Sequence, residues 1–549
     1  MFIAVFKIKT IAVNFLTLAL IGFFVMPIMA ILYQAIQGSL ASLTHLWHTV
    51  LTDYFINSLL LVTGTVLISL LFALPAAYLV SRYQFKGQSV LQWLLCLPLA
   101  IPAYLSAYLY TDFLDYPGVV QQWLRAIFGW QSIHDYWFPS IRSLGGACFI
   151  LALSLYPYIF LLSRLALMEQ SENLTQSAKL LGASSRQIFW RVTLPLLRPS
   201  IAVGCALVAM ETLGDFGTVF YFAIPTLTTA IYDTWLGFGD LQAAAQIAIS
   251  MLFLISVFIV IERYARRKQR HYQRGCEALH QYQPIKTWWE KGLVVYSWLL
   301  VMLAFFIPLF QLIYWAYHYF SEAWTENFFV YTKNSLLVAV IAALVSILFA
   351  LFLHFIRRFY QAIYAKQGLH LASLGYAVPG TVLAIGLLIP LTFADHQLHS
   401  LTDWLGLPSF GLVFSGSIFA LITAYVIRFS AMSVGSIETA LNKIPPSFEM
   451  AGKTLGHSNL SVWRKIHFPL LRKGILTALL LVFIESMKEL NASLLLRPFN
   501  FDTLATHVFT YTSDEQLERA ALPAIVLIVV GLIPVIMLTR SLLATRIKE

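Results

Sequence analysis

Long apolar stretches alternate with short polar segments over the whole chain, and that alternation is its dominant pattern. A membrane-crossing helix needs about 20 apolar residues at about 1.5 Å rise each. On that criterion the pattern predicts twelve spans, at 11–36, 56–80, 88–111, 143–167, 199–222, 243–262, 292–316, 334–356, 368–393, 411–433, 473–496 and 521–541. The first run is too long for a signal-peptide core and lacks a clear small-residue cleavage site, so it reads as a retained span. Twelve spans place both termini on one side.

Composition agrees: of 549 residues, 59% are hydrophobic and only 11% charged. A water-soluble chain of this length needs far more charge to cover its surface, so the bilayer is its main solvent. The net charge of +10 forms no single basic face, which removes the nucleic-acid reading. With the N-terminus inside, thirty of the 36 basic residues fall on inward segments or inner span ends, including Arg428, while Arg125, Arg142, Lys333, Arg497 and Arg519 lie outward. This asymmetry predicts cytoplasmic termini. Three of the four cysteines (Cys96, Cys148, Cys205) sit inside apolar runs and Cys276 in a basic segment, with no CxxC spacing to suggest a disulfide framework or a zinc site.

The chain repeats itself. Asn57-Ser58-Leu59-Leu60 recurs as Asn334-Ser335-Leu336-Leu337, and Pro102 as Pro379, both 277 residues on. Leu181-Gly182 and Pro195 recur as Leu455-Gly456 and Pro469, 274 residues on. The expected organisation is a first half over 1–262, a basic cytoplasmic linker over 263–291 and a second half over 292–549. Both halves start inside, so they run in parallel orientation. The fold class is all-α integral membrane, twelve transmembrane helices in two six-helix repeats.

Between the fourth and fifth spans of each half lies a long polar inward segment, about 172–196 and about 446–470. The first reads Gln176-Ser177-Ala178-Lys179-Leu180-Leu181-Gly182, nine residues, then Val192-Thr193-Leu194-Pro195. The second reads Met450-Ala451-Gly452-Lys453-Thr454-Leu455-Gly456, nine residues, then Ile466-His467-Phe468-Pro469. Each predicts a short amphipathic helix, a glycine break, and a helical stretch that stops before the proline. Such a helix outside the bilayer suits a groove on a soluble partner. Gly452-Lys453-Thr454 mimics the end of a phosphate-binding loop, but Ser447 stands where that loop needs its first glycine, and no strand precedes it. The chain is therefore expected to bind no ATP, and no cofactor, itself.

The spacing resembles the EAA loop of bacterial ABC importer permeases, Glu-Ala-Ala, three residues, Gly, nine residues, Ile-x-Leu-Pro. Gln176 and Met450 stand in place of the family's Glu, with Glu449 one residue away in the second copy. The resemblance implies a type I ABC importer permease-like fold in a bacterial inner membrane. It further implies two copies of a separate ATPase subunit docking on the two loops, a periplasmic substrate-binding protein, alternating access, and no enzymatic step in this chain. It assigns ATPase coupling to Gln176, Ser177, Ala178, Gly182 and Pro195 in the first copy. In the second it assigns Met450, Ala451, Gly452, Gly456 and Pro469.

Within that family, Glu211-Thr212-Leu213-Gly214-Asp215-Phe216-Gly217-Thr218 with Leu227-Thr228-Thr229-Ala230-Ile231-Tyr232 is similar to the ferric-iron permeases. So are Glu485-Ser486-Met487-Lys488-Glu489-Leu490, Leu495-Leu496-Arg497-Pro498-Phe499-Asn500 and Thr503-Leu504-Ala505-Thr506. Ferric iron is the expected cargo. Thiamine permeases share the fusion of two halves and are the nearest alternative, ahead of polyamine and phosphonate permeases. A secondary transporter driven by an ion gradient is the alternative of another class, and the paired loops argue against it.

Glu211 corresponds to Glu485 and Asp215 to Glu489. Counted from residues 199 and 473, the first pair falls roughly 18 Å up its helix, where a bare carboxylate costs on the order of 2.5–3.5 kcal/mol. Two readings stand side by side. These four carboxylates line a route for a hard trivalent cation, which prefers oxygen ligands, or they bond between helices, with Lys488 neutralising Glu485.

Overall fold

The computed structural model describes residues 2–39, 44, 46–170, 172–266, 282–360 and 364–544. Among them, eleven helices are long and apolar enough to cross a membrane, and a bent helix pair makes a twelfth. Twelve sequence runs therefore correspond to twelve helical passages. The bent pair, Gln88–Ala100 and Ala103–Phe128 (the second interrupted between Leu114 and Val119), turns by 95° at the break that Pro102 occupies, because the ring fixes φ and removes a donor. Its repeat, Pro379, caps the start of Gly380–Trp404, after the helix Ala365–Leu374 and a 3-10 turn at Gly375–Ala377. The expected span 368–393 is thus divided there.

The chain folds into two compact units that cut across the sequence repeats. One comprises Leu46–Ala230, Ser250–Ala323 and Tyr511–Glu549. In it, α1 (Thr52–Arg82) packs along α2 (Leu144–Glu169), and both pack on α3 (Leu194–Gly214). The core between them is aromatic and small, with Ala73, Ala77, Tyr156 and Phe160 fully buried. Trp288–Val301 lies against α1, and Ile307–His318 against Leu517–Ala544. A short parallel strand pair, Tyr83–Gln84 with Gln283–Pro284, is the sole strand pairing among the described residues.

The other unit comprises Met1–His45, Ile231–Ile249 and Trp324–Thr510. Here α4 (Glu326–Phe359), α5 (Ile418–Leu441) and α6 (Phe468–Lys488) pack mutually, repeating the trio α1, α2 and α3. The N-terminal helix Phe2–Gln37 lies on Gly380–Trp404. A Cβ at Gly386 would stand 2.5 Å from the Pro27 carbonyl oxygen, so the close crossing requires that glycine. The first span of one repeat thus packs with the core helices of the other. Most of the expected linker, 267–281, falls outside the described residues.

Candidate functional site

The segments 172–196 and 446–470 fold alike. Helix Glu172–Leu180 ends where the Gly182 N–H donates to the Lys179 carbonyl at 2.9 Å and the Ala183 N–H to that of Ala178 at 3.0 Å. Helix Ser447–Thr454 ends identically, Gly456 N–H to Lys453 at 3.0 Å and His457 N–H to Gly452 at 3.1 Å. This double closure needs a left-handed residue after the helix, and Gly182 and Gly456 supply φ of 81° and 80°. A Cβ at either glycine meets nothing within 4 Å. Backbone conformation, not crowding within the chain, selects glycine.

The expected stop before each proline is not found. Instead, a π-turn, Phe189–Thr193 or Trp463–His467, carries the helix through the proline into the fifth span of its repeat. The Leu194 N–H reaches back to Phe189 O, and Phe468 N–H to Trp463 O, so the ladder has already shifted by one residue when the proline arrives. The extra residue accommodates both the missing donor and the ring's clash with the preceding turn. Pro195 and Pro469 thereby mark a junction between loop and span rather than an end.

Around these junctions apolar side chains face outward. Gln176, Ser177, Met450 and Ala451 are exposed, Ala178 and Pro195 half-buried, and Pro469 exposed. Leu181 and Leu455 are 88% and 78% exposed. Gly452 is buried, and a Cβ there would come 2.9 Å from Val462 Cγ2, so it sets the contact between the two short helices of its loop. Beside it opens a groove of about 500 Å³ between Phe448, Leu455, Val462 and Leu470.

The four intramembrane carboxylates divide into two kinds. α3 and α6 end at Gly214 and Lys488, short of the expected 222 and 496. Short helices follow, α7 (Gly217–Tyr221) and α8 (Asn491–Leu496). Asp215 accepts from the Thr218 N–H at 3.0 Å, the Val219 N–H at 3.3 Å and the Thr218 hydroxyl at 3.1 Å. Glu489 accepts from the Ala492 N–H at 3.0 Å and pairs with Arg428 at 3.4 Å. Both carboxylates cap helices after a break. Arg428, expected at an inner span end, lies inside α5 and is buried against Glu489, because α5 ends at Leu441, eight residues beyond the predicted 411–433. A Cβ at Gly380 would sit 2.5 Å from Glu489 Oε1 and 2.8 Å from Arg428 Nη1, so this pair depends on that glycine.

Glu211 and Glu485 are half-buried and near the ends of their helices, not at the middle. Continuous helix runs over Arg186–Gly214 and Asn459–Lys488 rather than over 199–222 and 473–496, starting earlier and stopping sooner. Lys488 Nζ lies 3.6 Å from Glu485 Oε1. Among the described residues, no three His, Cys, Asp or Glu side chains cluster tightly enough to hold a metal ion.

The repeated pairs Asn57-Ser58 and Asn334-Ser335 each tie a span to a later short helix. The Asn57 amide donates to the Pro225 carbonyl at 3.2 Å, and the Ser58 hydroxyl accepts the Leu227 N–H at 2.9 Å. Asn334 and Ser335 do the same to Asp502 O at 3.1 Å and Leu504 N–H at 2.7 Å. These latches fix the starts of helices Leu227–Tyr232 and Leu504–Ser513, where the Thr229 and Thr506 hydroxyls accept from the Thr226 and Thr503 N–H, each at 2.9 Å.

A family model described as "Binding-protein-dependent transport system inner membrane component" matches residues 69–271 and 365–540, once in each repeat. The chain belongs to this family. The permease is 26% identical over 523 residues to the Fe(3+)-transport system permease protein of Haemophilus influenzae, covering 94% of this chain and 95% of that one. It is 24% identical to the ferric transport system permease protein of Actinobacillus pleuropneumoniae, over 86% of this chain and 69% of the relative. The molybdenum transport system permease protein of Escherichia coli is 30% identical over 230 residues, 41% of this chain and 95% of its own length. The permease is thus a multi-pass membrane transport subunit in which two family domains are fused.

Proposed function

We propose that this permease imports ferric iron, driven by a separate ATPase of which two copies dock on the segments 172–196 and 446–470, with both termini and both segments in the cytoplasm. The observation that carries the ATPase coupling is the duplicated loop: two segments with one closure geometry and outward leucines at Leu181 and Leu455. A gradient-driven transporter has no use for two such surfaces. The iron assignment rests on similarity to two ferric permeases over most of the chain. Glu211 and Glu485, half-buried at matched places in the two repeats, are the carboxylates we assign to a route for a hard cation, which prefers oxygen ligands, with Lys488 beside Glu485.

The test is reconstitution of the permease with its ATPase in vesicles, followed by addition of binding proteins loaded with ferric iron, thiamine or molybdate. Stimulated ATP hydrolysis and uptake with the ferric-loaded protein alone is the expected result. Stimulation by another cargo with none by ferric iron would reassign the substrate and leave the coupling intact.

A further inference from the structure

The helix Val119–Phe128 is amphipathic in the reverse of the usual sense. Its inward face carries Gln121 and Arg125, and their polar groups are used within the chain. The Gln121 amide donates to Leu114 O at 2.8 Å, and its carbonyl oxygen accepts the Tyr136 hydroxyl. Arg125 donates to Tyr116 O at 2.9 Å and Tyr136 Oη at 3.1 Å, with its guanidinium over the Tyr116 ring. Its outward stripe is Val119, Gln122, Trp123, Ala126 and Ile127, without a charge. Trp123 and Ile127 are each 70% exposed. A helix bathed in water places its polar side outward; this one places its apolar side outward.

The neighbouring surface identifies the medium. Val120 shares a groove of about 490 Å³ with Leu303, Phe310 and Tyr314, which belong to the apolar span Trp288–His318. Val120, exposed beside that stripe, thus adjoins a span long and apolar enough to cross a membrane. The helix precedes α2, whereas the coupling segment follows it, so they occupy opposite ends of a helix about 39 Å long. A stack of Phe128, Trp130 and Tyr136, with centroids 4.7 Å apart at each step, stiffens the loop behind it.

We propose that Val119–Phe128 is an interfacial helix, lying in the membrane boundary opposite the coupling segments with Trp123 and Ile127 among phospholipid acyl chains. Such helices bury their apolar face about 5–10 Å into the headgroup and acyl boundary. The test places spin labels at Trp123→Cys, Ile127→Cys and, as a water-facing control, Gln131→Cys in the full permease carrying Cys276→Ser, reconstituted in phosphatidylethanolamine–phosphatidylglycerol vesicles. Labels at 123 and 127 should be more accessible to oxygen and less to a nickel chelate than the label at 131. Unlabelled permease should also lose part of its quenching by brominated acyl chains on Trp123→Phe substitution. Nickel accessibility at 123 and 127 equal to that at 131, or no quenching loss, overturns the proposal. Shielding that appears only when a loaded binding protein is added also overturns it, and assigns the face to that protein.

Discussion

The segments 172–196 and 446–470 share a backbone and differ in how they are tied to the membrane helices. In the second, Arg358 at the end of α4 donates through Nε to Glu449 and through Nη2 to the Ile444 carbonyl at 3.1 Å. His467, fully buried in the π-turn, holds Nε2 3.3 Å from Glu449 Oε1 and stacks on Trp463. In the first, Arg82 at the end of α1 reaches Gln170 at 3.2 Å, and the Gln170 amide donates to the Thr193 carbonyl at 3.3 Å. One brace is an ion pair closed by an imidazole, the other a relay through a neutral amide. Both start from an arginine, but only the second sets it against a carboxylate, while the first ends in a neutral amide–carbonyl bond. Charge-assisted bonds are roughly twice as strong as neutral ones. Motion at the second loop should therefore pass to its helices with less slack than motion at the first.

The largest effect expected removes what the loops have in common. A Gly182→Trp, Gly456→Trp double variant forces a side chain into the left-handed closure of both and places bulk on the docking face. Uptake should be abolished with the protein still in the membrane. Normal uptake would break the assignment of both loops.

The next sharpens the difference. Glu449→Gln should destabilise the second brace by about 1.5–3 kcal/mol, the range for bonds to charged groups, whereas Gln170→Ala removes from the first one bond to the Arg82 guanidinium and one to the Thr193 carbonyl but no ion pair. Transport per ATP hydrolysed should fall more in Glu449→Gln. Equal losses would mean that the chemistry of the brace is irrelevant to coupling.

A third variant moves the comparison into the spans. Gly380→Ala should cost about 1–3 kcal/mol by overpacking against the Arg428–Glu489 pair. Its repeat counterpart is already an alanine, Ala103, so Ala103→Gly should change thermal stability far less. The smallest effect lies in the loop behind the interfacial helix. Asp135 accepts from the Ser132 and Gln131 N–H groups at 2.8 Å, which hold its carboxyl below the usual carboxylate range. A depressed folded pKa contributes stability above the unfolded pKa and loses it as pH falls through the folded one. A spin label on Trp130→Cys should loosen only in acid, and Asp135→Asn should remove that pH dependence.

Much of this was legible in the sequence. The repeat offsets and the glycines at 182 and 456 follow from period and from backbone restrictions that local residues set; the break at Pro102 did not, since the apolar run 88–111 continues through it and reads as one span. The roles of Asp215 and Glu489 did not, because the residues that follow them are apolar and read as continued span; only the ends at Gly214 and Lys488 reveal them as caps. Arg428 was misplaced for the same reason, since a charge inside a span looks like a span end until its partner is seen. Asn57 and Ser58 repeated visibly, but their bonds to Pro225 and Leu227 join residues 168 and 169 positions apart, beyond any local rule.

The most direct measurement of the central claim is disulfide trapping with the ATPase. Leu181→Cys and Leu455→Cys, each in a permease assembled with an ATPase carrying single cysteines across its membrane-facing surface, should capture one ATPase subunit per loop. The double variant should capture two and lock hydrolysis. Capture at neither loop, or labelling of both cysteines by an impermeant thiol reagent from outside intact cells, would contradict the account.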